Sequence, residues 1–112
     1  MLEVLFYATA SGRQVVKEWI KSFSKADQKI LGEDLMVVQF RFPLGAPICA
    51  PLGDGLWEVR STLTGNREAR MIICHDDPTG ALIVLNGFIK KSQKTPKREL
   101  DVARARRRDF SP

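Results

Sequence analysis

Residues 56–89 read LWEVRSTLTGNREARMIICHDDPTGALIVLNGFI and predict three consecutive β-strands. Apolar and polar residues alternate over residues 56–63, a pattern typical of a half-buried strand. Residues 64–66 (Thr-Gly-Asn) and 76–80 (Asp-Asp-Pro-Thr-Gly) are turn-forming sequences, and they bound a second strand at residues 67–74. Residues 81–89 are apolar at nearly every position, so we expect this third strand to lie inside the sheet.

Upstream of these strands the sequence predicts another strand and then a helix. Residues 2–7 are rich in Leu, Val and aromatic side chains, which favour a strand. Ser11 and Gln14 have the spacing of a capping box, in which the serine hydroxyl accepts from the third helical N–H and the glutamine reaches back. From Val15 to Phe23, apolar residues recur at three- and four-residue spacing, which indicates an amphipathic helix.

A second helix follows and completes a helical hairpin. Ser24 and Asp27 mark its start. Its apolar positions run from Ile30 to Phe42 with the same period. Pro43 ends the helix, because proline lacks the N–H that a helix interior requires.

The remaining segments predict a loop and a short C-terminal helix. Residues 44–55 are punctuated by proline and glycine and predict a loop. Thr95 and Pro96 fit an N-cap followed by proline at the first helical position, and the helix should extend to about Arg107. The order β-α-α-β-β-β-α predicts an α+β fold, in which a small antiparallel-rich sheet carries the helical hairpin on one face. The length of 112 residues fits a single domain spanning residues 1–112.

Composition and charge narrow the class of protein. With 44% hydrophobic residues the chain can bury a core without disulfides or a structural metal. The N-terminus has no basic leader, and no apolar run is long enough to cross a bilayer, so we expect a cytoplasmic protein without a membrane partner. Of the net charge of +5, residues 90–108 contribute +7, with nine Lys/Arg and two acidic residues. Charge concentrated in this way favours a polyanionic partner.

Several kinds of catalytic site have no support in the sequence. There is no GxSxG, no P-loop, no GxGxxG and no CxxC motif. Cys49 and Cys74 are expected to be free thiols, with Cys74 in the core. His75 is the sole histidine, and with the two aspartates after it we interpret it as part of a polar turn. We therefore expect no metal site and no cofactor.

Cations on neighbouring strands are the remaining candidate site. Strand alternation places Arg60 on one face with Glu58, and Arg70 on a face with the apolar residues Ile72 and Cys74. An arginine at the start of a hydrophobic strand must reach solvent or an anion. If the predicted strands are neighbours, these side chains can line one basic groove, whose candidate cations are Arg60, Arg70, Lys90 and Lys91.

Such a groove suits cleavage of RNA by the RNA's own 2′-hydroxyl. Arginines stabilise the charge that develops on the phosphorane oxygens. A lysine crowded by other cations can exchange protons. The alternative is that Arg60 and Arg70 only form surface ion pairs with Glu58 and Glu68.

Three strings of sequence resemble a known family. These are residues 55–60 (GLWEVR), 67–73 (REARMII) and 85–96 (LNGFIKKSQKTP). They resemble the RelE/HigB-like toxins of type II toxin–antitoxin systems, and in particular the phage-derived branch of that superfamily. The resemblance implies a microbial-ribonuclease-like α+β fold and metal-independent cleavage of mRNA, typically in the ribosomal A site. It also implies a cognate antitoxin partner, often a helix-turn-helix protein, besides the mRNA and the ribosome.

The resemblance also assigns candidate residues. Arg70, in the strand at residues 67–74, falls at the position of the family's phosphate-contacting arginine. Arg60, in the strand at residues 56–63, falls at a position where relatives carry a basic residue. The candidate catalytic set is Arg60, Arg70, Lys90, Lys91 and Lys94. Candidate RNA or ribosome contacts are Lys97, Arg98, Arg104 and Arg107, whose alternative interpretation is a solvated, partly frayed helix end.

One departure from the family bears on catalysis. Several relatives carry a Tyr or His near the C-terminus as acid or base, and the segment after Phe88 has neither. Proton transfer would then fall on a lysine or on ribosomal groups. Two other functions remain open at this point: a ParE-like toxin that poisons DNA gyrase, and a non-catalytic nucleic-acid-binding module.

Overall fold

The structure is a computed structural model that describes residues 1–43, 45 and 47–110. In chain order the elements are β1 (Val4–Phe6), α1 (Val15–Lys21), α2 (Lys25–Arg41), β2 (Cys49–Gly53), β3 (Leu56–Leu63), β4 (Arg67–His75), β5 (Leu82–Lys90) and α3 (Lys97–Asp109). The predicted α+β class is confirmed, with one strand more than the sequence predicted. No helix in the described part of the chain is both long and apolar enough to span a bilayer.

The additional strand is β2, which lies in the segment predicted to be a loop. It pairs antiparallel with β3 and forms one edge of the sheet, so the loop prediction for residues 44–55 is wrong at these positions. Pro51 is one of the residues that made the segment resemble a loop. Proline is tolerated on an edge strand, because one side of that strand needs no N–H donor. Leu44 and Ala46, in the same predicted loop, lie outside the described residues.

The five strands form one mixed sheet in the order β1-β5-β4-β3-β2. The apolar strand β5 lies between β1 and β4, as its sequence predicted. β1 runs parallel to β5, and the other neighbouring strands pair antiparallel. Each face of the sheet is therefore set by strand alternation within a fixed register.

The predicted helical hairpin packs on one face of this sheet. Leu31 and Val38 of α2 are fully buried against Val59 and Met71. On the opposite face, α3 packs over β4 and β5, and its Ala103 is buried among apolar residues of those strands and of β3. The sheet thus separates two cores.

Two predictions about helix starts are wrong and one is confirmed. Gln14 precedes the first residue of α1 and no side chain caps this helix, while the Ser11 hydroxyl lies 3.0 Å from the hydroxyl of Thr9. The chain makes a tight turn there, which takes Ser11 away from the helix axis. Ser24 caps α2 as predicted, since its hydroxyl accepts from the backbone N–H of Asp27 at 3.2 Å.

Thr95 does not cap α3. The helix begins at Lys97, with Pro96 in the cap position and no side-chain cap. The Thr95 hydroxyl instead donates to a carboxylate oxygen of Glu58, 2.7 Å away. A hydrogen bond to a charged carboxylate is stronger than one between the hydroxyl and a neutral backbone N–H, so the bond to Glu58 is the favoured one.

Both cysteines are free and buried, as predicted for Cys74 and as β2 imposes for Cys49. Burial raises the pKa of each thiol to about 11. Neither thiol is therefore a reactive thiolate at neutral pH.

Candidate functional site

The register of β3, β4 and β5 brings the predicted cations together. Arg60 of β3 lies directly opposite Arg70 of β4, and Arg70 lies opposite Phe88 of β5. Two pairs further along, Glu68 of β4 lies opposite Lys90 of β5. Residues paired across neighbouring strands share a face of the sheet, so Arg60, Arg70 and Lys90 all lie on the face that also carries α3.

Two adjoining open depressions lie over these rows, with volumes of about 460 and 380 Å³. We call the pair the basic groove, and define it by the side chains that line it. Its first part is lined by Glu68, Arg70, Lys90, Lys91, Ser92 and Gln93. Its second part is lined by Pro47, Ile48, Arg60, Thr62, Glu68 and Arg70. Glu68 and Arg70 line both parts and therefore occupy the middle of the groove.

Arg70 is a charged side chain held almost inside the protein. Its side chain is 9% exposed. One terminal nitrogen, Nη1, donates to the carbonyl of Ala69 at 2.9 Å and lies 3.4 Å from a carboxylate oxygen of Glu68. Among the described residues its Nε has no hydrogen-bond partner. A buried donor without a partner is costly to the folded protein.

Arg60 is held by a buried carboxylate. Its Nε donates to Glu58 at 3.0 Å, and Glu58 is only 2% exposed. The second oxygen of Glu58 accepts from Thr95. Glu58 therefore ties Arg60 on β3 to the segment that follows Lys91 and leads into α3.

The family of the chain is decided by the region that contains this groove. Residues 18–108 match the family described as phage derived protein Gp49-like (DUF891). The chain belongs to the Gp49-like family. It is a toxin-like family in toxin–antitoxin systems. No curated protein is similar enough to the chain to count as a match.

The remaining candidate cations of this Gp49-like protein lie outside the groove lining. Lys94 is exposed in the segment before α3, where its carbonyl accepts from the Ser92 hydroxyl. Lys97 is exposed and pairs with Asp101 one turn later at 2.7 Å. Arg98 is 86% exposed and borders a separate depression. These three residues lie in the segment between β5 and α3 or at the start of α3, and they do not line the groove with Arg60 and Arg70.

Arg104 and Arg107 bind the turn between β2 and β3. Their guanidinium groups lie 3.5 and 3.2 Å from a carboxylate oxygen of Asp54, and Arg107 also donates to the Asp54 carbonyl. This turn precedes β3, whereas Arg60 lies four residues into that strand, about 13 Å further along. The two arginines thus tie α3 to the sheet at a distance from the groove.

The sequence pattern alone does not identify the polar neighbours of the two arginines. It predicts Glu58 and Glu68 only as ion-pair partners, and it does not predict Thr62 or Thr95 as site residues. The ion pairs are present in the structure, at 3.4 Å for Arg70–Glu68 and 3.0 Å for Arg60–Glu58. The signal for Glu68 was available, since alternation from Arg70 places it on the same face.

Proposed function

We propose that this Gp49-like protein is the toxin of a type II toxin–antitoxin system, and that it inhibits translation as a metal-independent mRNA endoribonuclease acting on the ribosome. One observation carries the proposal: Arg60 and Arg70 oppose each other on adjacent strands, with Lys90 and Lys91 bordering the same groove. Arginine side chains are permanently charged forks that bind phosphate oxygens in pairs.

Cleavage by the 2′-hydroxyl requires three catalytic functions at one phosphate. A base removes the proton of the 2′-hydroxyl, cations stabilise the phosphorane oxygens, and an acid protonates the leaving 5′-oxygen. Arg70 supplies the stabilisation, because its side chain lines the groove in a largely buried setting where charge interactions are strong. Arg60 holds the phosphate from the neighbouring strand. Lys90, Lys91 and Lys94 are the candidate proton donors.

The rival interpretation is that the arginines are already neutralised. Glu58 accepts from Arg60 in a good geometry and is buried, so that pair is structural. Glu68 is different: its contact with Arg70 is long at 3.4 Å, and its side chain is 43% exposed. A phosphate can therefore compete for Arg70 without displacing a buried ion pair.

Partners follow from the same proposal. A cognate antitoxin, of the helix-turn-helix type expected from the resemblance, would hold the toxin inactive. Lys97, Arg98, Arg104 and Arg107 remain candidate contacts to mRNA or ribosome, although Arg104 and Arg107 must then share their charge with Asp54. The substrate places the protein in the cytoplasm.

Translating ribosomes programmed with a defined mRNA provide the test. We expect the wild-type protein to cut within codons and to leave 5′-hydroxyl and 2′,3′-cyclic phosphate ends. Arg70→Met should slow cleavage about 10²–10³-fold, the usual loss when one donor to a developing oxyanion is removed. Lys29→Gln is the matched control, because Lys29 is exposed on α2 and pairs only loosely with Glu33 at 3.8 Å.

Each other result excludes the proposal in its own way. Products with 5′-phosphate ends would show hydrolysis by water rather than attack by the 2′-hydroxyl. Stalled gyrase–DNA complexes without mRNA cuts would favour the ParE-like activity. Binding of RNA with neither product would leave a non-catalytic module.

A further inference from the structure

The proposed cleavage lacks an assigned base, and the usual candidates are held elsewhere. The sole histidine, His75, is the last residue of β4, seven residues and about 23 Å along the strand from Glu68. The sole tyrosine, Tyr7, donates its hydroxyl to Asp109 at the end of α3. Neither group reaches the basic groove.

Glu68 is the carboxylate that lies in the groove. It lines both depressions, two residues from Arg70 on β4 and directly opposite Lys90 of β5. One of its oxygens accepts from the Thr62 hydroxyl at 2.9 Å, and the other lies 3.4 Å from Nη1 of Arg70. The side chain is thus oriented by two donors on the neighbouring positions of the sheet, yet 43% of it remains exposed to a ligand.

We propose that Glu68 is the general base of the RNA cleavage, an inference that rests on the function proposed above. The Glu68 carboxylate takes the proton of the 2′-hydroxyl as the 2′-oxygen forms its bond to phosphorus. The bond from phosphorus to the 5′-oxygen breaks, and the ammonium group of Lys90 or Lys91 protonates that oxygen. The products are a 2′,3′-cyclic phosphate and a 5′-hydroxyl, and proton exchange with water restores Glu68 and the lysine.

The surroundings of Glu68 suit this role better than a purely structural one. Glu58, whose ion pair is structural, is buried and lies 3.0 Å from Arg60, whereas Glu68 is 43% exposed and lies 3.4 Å from Arg70, so the Glu68 carboxylate is open to a ligand. Its neighbour Arg70 is the group that would stabilise the phosphorane. Base and phosphate-binding group are therefore adjacent, as attack by a 2′-hydroxyl requires, because that hydroxyl is two bonds from the carbon bearing the scissile phosphate.

Glu68→Gln tests the base role directly. The glutamine keeps the size and can still accept from Thr62, but it cannot take a proton. We expect cleavage on translating ribosomes to fall about 10²–10⁴-fold, the range for loss of general acid–base catalysis. We measure by fluorescence anisotropy the affinity for a short RNA with a 2′-deoxy residue at the cut site. The Glu68→Gln variant should bind this RNA as tightly as the wild type or more tightly, because the substitution removes a negative charge from the groove.

The pH dependence and a control complete the test. The wild type should lose cleavage rate at acidic pH, as reactions that use a carboxylate as general base do, and Glu68→Gln should lose that dependence. Glu33→Gln removes an exposed carboxylate from α2 and should leave both rate and profile unchanged. Glu68→Gln cutting at the wild-type rate would overturn the base role while the endoribonuclease function stood. A wild-type protein that binds RNA and cuts none would overturn both proposals.

Discussion

Arg60 and Arg70 stand directly opposite each other on adjacent antiparallel strands, so two like charges face each other across the sheet. Such a pair is destabilising unless each charge is neutralised. Glu58 and Glu68 supply the two carboxylates, and only the second lies where a ligand can compete with it. Each arginine therefore has a carboxylate partner, and the contact between Arg70 and Glu68 is the more exposed of the two.

Replacing Arg70 should therefore separate stability from function. We expect Arg70→Met to keep the free energy of unfolding within about 1 kcal/mol of the wild type, because a buried charge with an unpartnered Nε is exchanged for apolar volume. Cleavage should fall as stated above. Urea unfolding measures the first quantity, and a loss greater than about 3 kcal/mol would show that Arg70 serves the fold instead.

Salt dependence should report the phosphate contacts of the groove. For single-stranded RNA, the slope of log affinity against log salt changes by about 0.7 for each lysine or arginine contact to phosphate. Lys91→Gln, in the groove lining, should reduce the slope by this amount. Lys29→Gln removes the same charge from α2 on the other face of the sheet, and should leave the slope unchanged. Equal slopes for all three proteins would contradict RNA binding at Lys91.

The position of Thr95 gives a prediction opposite to the one its sequence context suggests. Aspartate is a good N-cap residue, so Thr95→Asp would be tolerated if Thr95 capped α3. In the structure its hydroxyl donates to buried Glu58, and an aspartate would place two carboxylates together. We expect Thr95→Asp to be less stable than Thr95→Val, which should itself lose about 1–3 kcal/mol for the missing hydrogen bond to a charged group.

Thermal unfolding of the two variants, with Thr95→Ser as the control that keeps the hydroxyl, distinguishes these roles. The order Ser, Val, Asp from most to least stable agrees with the bond to Glu58. An aspartate variant as stable as the serine variant would restore the cap interpretation.

Asp27 should make stability depend on acidic pH. It is buried at the start of α2, where hydrogen bonds from the backbone N–H and hydroxyl of Thr64 and from Arg67 lower the pKa of its carboxyl below the ordinary value. A carboxyl with a lowered pKa in the folded state stabilises the fold above its unfolded pKa of about 3.9, and that stabilisation is lost as the pH falls through the folded value. Asp27→Asn should therefore be less stable than the wild type at pH 7, by a difference that shrinks below about pH 4.

Urea unfolding at pH 7, 5 and 3.5 follows this difference. Glu33→Gln, an exposed carboxylate on the same helix, should change stability by less than about 0.5 kcal/mol at every pH. A stability gap for Asp27→Asn that stays constant down to pH 3.5 would contradict the assigned cause.

Structural features that depend on residues close together in the chain could be predicted from the sequence. The two turns, the strands on either side of them and the start of α2 at Ser24 are all local. The predictions failed where a distant group competed for a local one. Glu58 draws the Thr95 hydroxyl away from α3, and pairing with β3 holds Pro51 in a strand that its sequence disfavours.

Close packing between elements could not be predicted from local sequence patterns either. Gly87 on β5 lies directly under Trp19 of α1, where an added Cβ would come within 2.6 Å of the indole ring. The sequence shows a glycine inside an apolar strand, and only the position of α1 explains it.

The sequence by itself determined the order of helices and strands apart from β2, the faces on which Arg60 and Arg70 lie within their own strands, and the basic C-terminal segment, because alternation, helical period and charge are local properties. The tertiary structure alone decided that Arg60 opposes Arg70, that Glu68 opposes Lys90, and that Arg104 and Arg107 bind the turn at Asp54. Strand register and helix docking are set by burial of residues distant in the chain, and no local pattern contains that information.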